Sequence, residues 1–97
     1  MLIIITGDQG TGKALIANKF KGYNRVISDF FIYKGKDVYL YSKKDLEKDL
    51  KHFDNVVIES IIDTNDTAKH LAAMRKKARK LGHTVLVIEA LKNIRMD

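Results

Sequence analysis

The chain has no cysteine, no proline and no long apolar run. Without cysteine it can form neither a disulfide bond nor a Cys-ligated zinc site, which fits a reducing compartment and leads us to expect a cytoplasmic protein. Without proline, its turns must depend on glycine, asparagine and aspartate. The longest apolar run, residues 2–5, is far too short to cross a bilayer. It follows the first Met directly without a basic leader, so we expect neither a membrane span nor a secretory signal.

The length and composition predict one small globular domain over residues 1–97. A chain of 97 residues can bury only a modest core, which leaves little room for a second unit. Apolar residues make up 45% and charged residues 31%, a balance that is typical of a folded rather than a disordered chain. The net charge of +6 favours polyanionic partners such as nucleic acid or nucleotide phosphates.

Much of the positive charge lies in one segment, residues 66–81, which has six basic residues against the single acid Asp66. The apolar residues of this segment recur at helical spacing, so the cations must cover the remaining sides of a helix. The simpler interpretation is a solvated face. The alternative is contact with nucleic-acid phosphates. The residues we expect to make that contact are Arg75, Lys76, Arg79 and Lys80.

The pattern of apolar residues predicts alternating strands and helices. Strands are expected at 1–6, 25–29, 56–59 and 83–89, a hairpin at 30–41, and helices at 13–21, from Ser42 onward, and up to Gly82. The second helix has a capping-box pattern, in which Asp45 follows Ser42 by three residues. Apolar strands that alternate with helices indicate an α/β fold: a minimal three-layer domain with a mostly parallel sheet, helices on both faces and an added β-hairpin.

A glycine-rich turn joins the first strand to the first helix. Residues 7–13 read GDQGTGK, the first seven positions of the phosphate-binding pattern G-x-x-x-x-G-K-[ST]. Glycine allows the sharp turn and the close approach of main-chain amides to phosphate oxygens, and the lysine would reach the β- and γ-phosphates. The predicted nucleotide contacts are Gly7, Asp8, Gln9, Gly10, Thr11, Gly12, Lys13, Ala14 and Leu15.

Position 14 departs from this pattern, because it holds alanine where serine or threonine would place a hydroxyl on Mg²⁺. Two explanations remain open at the level of sequence. Either the natural chain binds nucleotide with a weakened dependence on magnesium, or the alanine was introduced to trap a bound state.

Three acids end predicted strands and are candidates for the chemistry of a bound triphosphate. Glu59 follows the apolar run 56–58 and is the best candidate to hold magnesium or to orient the attacking water; its alternative role is a solvated acid at a strand end. Asp29 closes the second strand and is a weaker candidate for the metal shell or the substrate side. Glu89 ends the last strand and would sense the γ-phosphate or the water.

Taken together, GDQGTGK, VVIE and ARKLGHTVLVIEA resemble the ATPase core of the P-loop NTPase superfamily, chiefly its additional-strand branch. The order of the segments is loosely similar to phage-assembly ATPases related to zonular occludens toxin. This resemblance implies a P-loop NTPase-like fold, ATP and Mg²⁺ as cofactors, and hydrolysis that involves Lys13 and Glu59. The departures are Ala14, the single acid before Ser60, Glu89 in place of glutamine, and a shorter chain.

We therefore expect an ATP-binding protein that hydrolyses ATP to drive work on DNA or a protein partner. One alternative is a small nucleoside or nucleotide kinase, with Asp29 near the acceptor hydroxyl. The other is a module that binds nucleotide or nucleic acid without hydrolysis, which the loss of the magnesium hydroxyl with retention of Lys13 would favour. If the chain forms a homo-oligomer, Arg75, Arg79 or Arg95 would serve as an arginine finger to a neighbouring subunit's nucleotide.

Overall fold

Six strands and three helices make up the described part of the chain, which in the computed structural model comprises residues 1–8, 10–60 and 65–90, with the backbone alone at 65 and 66. In chain order they are β1 (Leu2–Thr6), α1 (Lys13–Ala17), β2 (Asn24–Ser28), β3 (Phe30–Tyr33), β4 (Lys36–Tyr39), α2 (Lys43–His52), β5 (Val56–Ser60), α3 (Asn65–Lys80) and β6 (Val85–Glu89).

Four strands form one parallel sheet in the order β2-β5-β1-β6. The register places Ile5 of β1 opposite Glu59 of β5 and Ile88 of β6. All four strands therefore end at the same edge of the sheet, where β1 leads into the glycine-rich turn. The predicted α/β fold with a mostly parallel sheet is confirmed.

The two central strands are buried on both faces, and the outer two are not. Every residue of β1 and β5 is buried, as the apolar runs predict. On the outer strands, Ile27 of β2 and Leu86 and Val87 of β6 remain exposed. An edge strand has a neighbour on one side only, so its apolar residues are covered less completely.

Successive side chains of a strand point to opposite faces of the sheet, and the two faces are covered by different helices. On one face, Leu2 and Ile4 pack with residues of α2 and α3, including Leu46 and Met74. On the other face, Ile3, Ile5 and Val57 pack with Ala17 of α1. Helices therefore lie on both faces, and the domain has three layers.

The first helix is shorter than predicted. It ends at Ala17, whereas the sequence pattern predicts a helix over residues 13–21. Beyond Ala17 the chain tightens into turns, in which the amide of Lys19 bonds the carbonyl of Ile16 and the amide of Phe20 bonds that of Ala17. These turns let the rings of Phe20 and Tyr23 pack together with centroids 5.5 Å apart, beneath the same face of the sheet.

The hairpin and the second helix follow the predicted patterns. Strands β3 and β4 pair antiparallel, and positive φ angles at Lys34 and Gly35 make the two-residue turn between them. Ser42 caps α2 in a reciprocal capping box with Asp45. Other predicted boundaries differ by one or two residues, and Thr64, a predicted cap of α3, lies outside the described residues. Within the described ranges, no helix combines the length and the apolar character that a membrane crossing requires.

Candidate phosphate-binding site

The turn after β1 begins at a position that only glycine can occupy. Gly7 has φ of +148°, and a Cβ atom there would lie 2.6 Å from the carbonyl oxygen of Ala90 and 2.7 Å from Oγ1 of Thr11. Ala90 is fixed at this place because its amide donates to the carbonyl of Thr6 at 2.7 Å. The end of β6 therefore packs directly against the first residue of the loop.

The rest of the loop is shaped by two further glycines and one threonine. Gly10 and Gly12 have φ of +84° and +82°, in the left-handed region that side chains disfavour. Between them, the Oγ1 of Thr11 donates to the carbonyl of Asp8 at 2.7 Å and closes the turn. Gln9, a predicted contact, lies outside the described residues.

Lys13 folds back over this loop. Its half-buried side chain places Nζ 2.7 Å from the carbonyl oxygen of Gly7 and 2.9 Å from that of Asp8, and donates to both. Both acceptors are uncharged, and no carboxylate of the described residues forms an ion pair with this lysine. The ammonium group has three donors and a full positive charge, so its charge remains available to an anion.

The first turn of α1 adds main-chain donors beside the lysine. The helical hydrogen bonds begin with the amides of Leu15 and Ile16, which both donate to the carbonyl of Gly12. The amides of residues 12–14 precede this ladder and have no partner within the helix. Because α1 has only five residues, the loop amides and the ammonium group are the main sources of attraction for an anion. Ala14 and Leu15 are exposed, Leu15 to 72%.

Glu59 is buried beneath the sheet edge and paired with an arginine. Its Oε2 lies 2.6 Å from Nε of Arg25 on the neighbouring strand β2, and its side chain is 7% exposed. The other branch of the guanidinium group, NH1, donates to Oδ1 of Asn18 at 2.6 Å. The bond to Glu59 raises the pKa of Arg25 above its usual value, so the pair stays ionised. Arg25 thus connects Glu59 to the residue that follows α1.

Arg25 is a site residue that the sequence does not reveal. It lies 34 positions before Glu59 in the chain, and only the pairing of β2 with β5 brings the two together. Its own strand is short and its neighbours are apolar, so nothing local distinguishes it from a solvated arginine. A sheet order known in advance is the one signal that would have found it.

The other two strand-end acids lie at the same edge of the sheet. Asp29 follows β2, two strands away from β1, or about 10 Å by the usual spacing of strands. Its exposed side chain accepts a hydrogen bond from the amide of Phe30 at 2.8 Å. Glu89 lies opposite Thr6 at the end of β6 and is exposed.

These side chains offer magnesium a poor protein-held site. Position 14 has a methyl group where a hydroxyl would ligate, and the carboxylate of Glu59 is already bound by Arg25. Among the described residues, no group of three potential ligands comes together for a metal ion. A magnesium ion carried by the triphosphate itself would have to rely on its phosphate and water ligands.

The basic residues of α3 are separated from the loop by the sheet. Arg75, Lys76, Arg79 and Lys80 belong to the helix that packs on the face opposite α1. An arginine finger supplied within one chain would have to cross the sheet, so such a role would need a second copy. Arg95, the third candidate for that role, lies outside the described residues.

Comparison with known proteins adds no relative to this description. No protein-family model matches the sequence, and neither the curated proteins nor the solved structures gave a match. The function must therefore be argued from the geometry of the loop and its neighbours.

Proposed function

We propose that the chain binds a nucleoside triphosphate, with ATP as the first candidate, through the loop of residues 7–14. The observation that carries this proposal is the position of Lys13, whose ammonium group is held over the loop by two carbonyl oxygens and by no carboxylate. A triphosphate could replace those neutral acceptors with charged oxygens, and hydrogen bonds between charged groups are stronger than bonds to neutral ones.

The backbone of the loop supports the same proposal. Gly7 has no room for a side chain, and Gly10 and Gly12 hold conformations that let amides approach a ligand closely. The amides of residues 12–14 have no helical partner and can donate to phosphate oxygens. Their place between a buried parallel strand and a helix is the context in which this motif binds phosphate.

Hydrolysis is the less supported half of the ATPase prediction. Orienting water or magnesium would require a free carboxylate, and Glu59 is buried in an ion pair with Arg25. Together with Ala14, this pair favours a protein that binds nucleotide and turns it over slowly or not at all. An enzyme of the phosphotransferase class would have to use Asp29, which is exposed at the same edge and could face an acceptor hydroxyl.

Calorimetric titration with ATP, ADP and GTP, with and without Mg²⁺, tests the proposal. Lys13→Ala should weaken triphosphate binding about tenfold to a hundredfold, since a hydrogen bond to a charged group contributes about 1.5–3 kcal/mol. The loss should be smaller for ADP, which lacks the γ-phosphate.

Lys19→Ala is the matched control, because it removes the same charge from an exposed position just beyond α1. It should leave the affinity close to that of the wild type. The proposal is wrong if both variants bind alike, or if no nucleotide binds to the wild-type protein.

A further inference from the structure

A second concave surface lies on the opposite face of the sheet, between α2 and α3. We call it the basic groove. It encloses about 260 Å³, and apart from Ala73 the side chains that line it are all lysines. They are Lys43 from the first position of α2, and Lys76, Lys77 and Lys80 from α3.

The groove continues along α3 towards the hairpin. Lys69, Ala73, Lys76 and Lys80 follow one another at intervals of three or four residues, so they form a single stripe on the helix. At 1.5 Å per residue this stripe is about 16 Å long. Its first member, Lys69, also lines a neighbouring cavity of about 490 Å³ together with Lys36 and His70. Lys43 acts on His70 as well, lowering its pKa, so the two concave spaces are close to each other.

Little negative charge opposes these cations. Glu47 pairs with Lys77 at 3.2 Å and with Lys51 at 3.3 Å, so it offsets one lysine of the groove. Within the described residues, Lys43, Lys76 and Lys80 form no ion pair. Asp37 of the hairpin is the acid that lines the neighbouring cavity. Several ammonium groups of like charge thus converge on a concave surface.

The stripe divides the four cations predicted from the sequence into two sets. Lys76 and Lys80 lie in the groove, whereas Arg75 and Arg79 are each one residue away, or about 100° around the helix. Since Lys77 contacts α2, the two arginines lie on the other flank of α3.

We propose that the basic groove binds the phosphate backbone of a nucleic-acid strand. A line of lysines matches a line of phosphates, and lysine is an effective phosphate-binding point charge. A concave channel between two packed helices fits a strand better than it fits a flat membrane surface. This site does not depend on the nucleotide loop, which lies across the sheet.

The test is fluorescence anisotropy with labelled single-stranded and duplex DNA over a salt series. About four phosphate contacts should give a log–log slope of about −3 for single strands and about −3.5 for duplex DNA. Lys76→Glu combined with Lys80→Glu should weaken binding at low salt at least tenfold and flatten the slope by about 1.4 to 2, because each phosphate contact contributes roughly one unit.

Arg75→Glu combined with Arg79→Glu is the matched control. It makes the same change of charge at the same spacing on the same helix, but outside the groove. Its loss of affinity should be several times smaller. Circular dichroism should show both variants folded, since Lys76, Arg79 and Lys80 are exposed.

Three outcomes would overturn the proposal: no DNA binding at low salt, equal losses in the two double variants, or binding to phosphatidylserine vesicles but not to DNA. ATP titration of the same variants separates the two proposals. The lysine variant should keep the ATP affinity of the wild type, and Lys13→Ala should keep its DNA affinity.

Discussion

Among single residues, Gly7 is the position where the sheet limits the loop most directly. An alanine there would place its Cβ 2.6 Å from a backbone oxygen of Ala90, which cannot move without disturbing the end of β6. At Gly10, by contrast, an added Cβ meets nothing within 4 Å, and only the left-handed backbone opposes it. The two glycines therefore separate steric exclusion from backbone strain.

We expect Gly10→Ala to lower the free energy of unfolding by about 1–2 kcal/mol, the usual penalty for a side chain in the left-handed region. Gly7→Ala should cost about 1–3 kcal/mol more, because overpacking adds to that strain. Urea denaturation of both variants measures the difference. Equal losses would mean that Ala90 yields to the new methyl group and that the packing of β6 against the loop is loose.

Ala14 allows a direct test of magnesium at the loop. Ala14→Ser restores a hydroxyl at the position where the motif places a metal ligand, so we expect faster magnesium-dependent ATP turnover. The gain should disappear in EDTA, which serves as the control. If turnover does not rise, the missing hydroxyl is not what limits hydrolysis, and the ion pair of Glu59 with Arg25 becomes the next barrier to remove.

At the scale of helices and strands, local sequence patterns predicted most of the architecture. The capping box of Ser42 and Asp45 marks the start of α2, and Lys34-Gly35 makes a two-residue hairpin turn, because each motif depends on neighbours a few positions away. The end of α1 was missed for the opposite reason. Its last turn is decided by the packing of Phe20 and Tyr23 against the sheet, and helical periodicity carries no information about that contact.

The candidate sites show the same division. The glycines and Lys13 form one continuous motif, so the sequence alone identifies the loop. Arg25 reaches Glu59 only through the pairing of β2 with β5, and Lys43 joins Lys76 only through the packing of α2 on α3. Contacts between distant segments depend on the sheet order and helix packing, which no local pattern specifies.

On the scale of the whole molecule, the sheet separates two positively charged sites. The loop and Lys13 lie at its carboxyl edge beside α1, and the basic groove lies on the face covered by α2 and α3. Most of the net charge of +6 can thus be assigned to surfaces with distinct anionic partners, rather than to a uniform positive field.

His70 connects three parts of the fold and makes its stability depend on pH. Its ring stacks on Tyr39 with centroids 4.0 Å apart, and its Nε2 lies 3.0 Å from the carbonyl oxygen of Tyr41. Burial lowers the pKa of His70 below 6.5, and the nearby charge of Lys43 lowers it further, although the bond to Tyr41 acts in the opposite direction. The folded protein therefore resists protonation of this ring.

The sign of the effect follows from proton linkage. Below about pH 6.5 the unfolded chain protonates His70 before the folded chain does, so the free energy of unfolding falls as the pH decreases towards the folded-state pKa. Above that pH the contribution is fully present. Asp45 and Glu47, whose carboxyl pKa values hydrogen bonds lower, act only at more acidic pH.

We expect the urea midpoint of the wild-type protein to fall between about pH 7.5 and about pH 5.5, the range in which an ordinary histidine titrates. His70→Gln keeps an N–H donor for Tyr41 but cannot titrate, so its midpoint should fall less over the same range. His52 and His83 are present in both proteins, and their contributions cancel in the comparison. Equal pH dependence in the two proteins would show that the stacked ring is protonated as readily in the folded state as in the unfolded chain, and that the contact between hairpin and α3 is open to water.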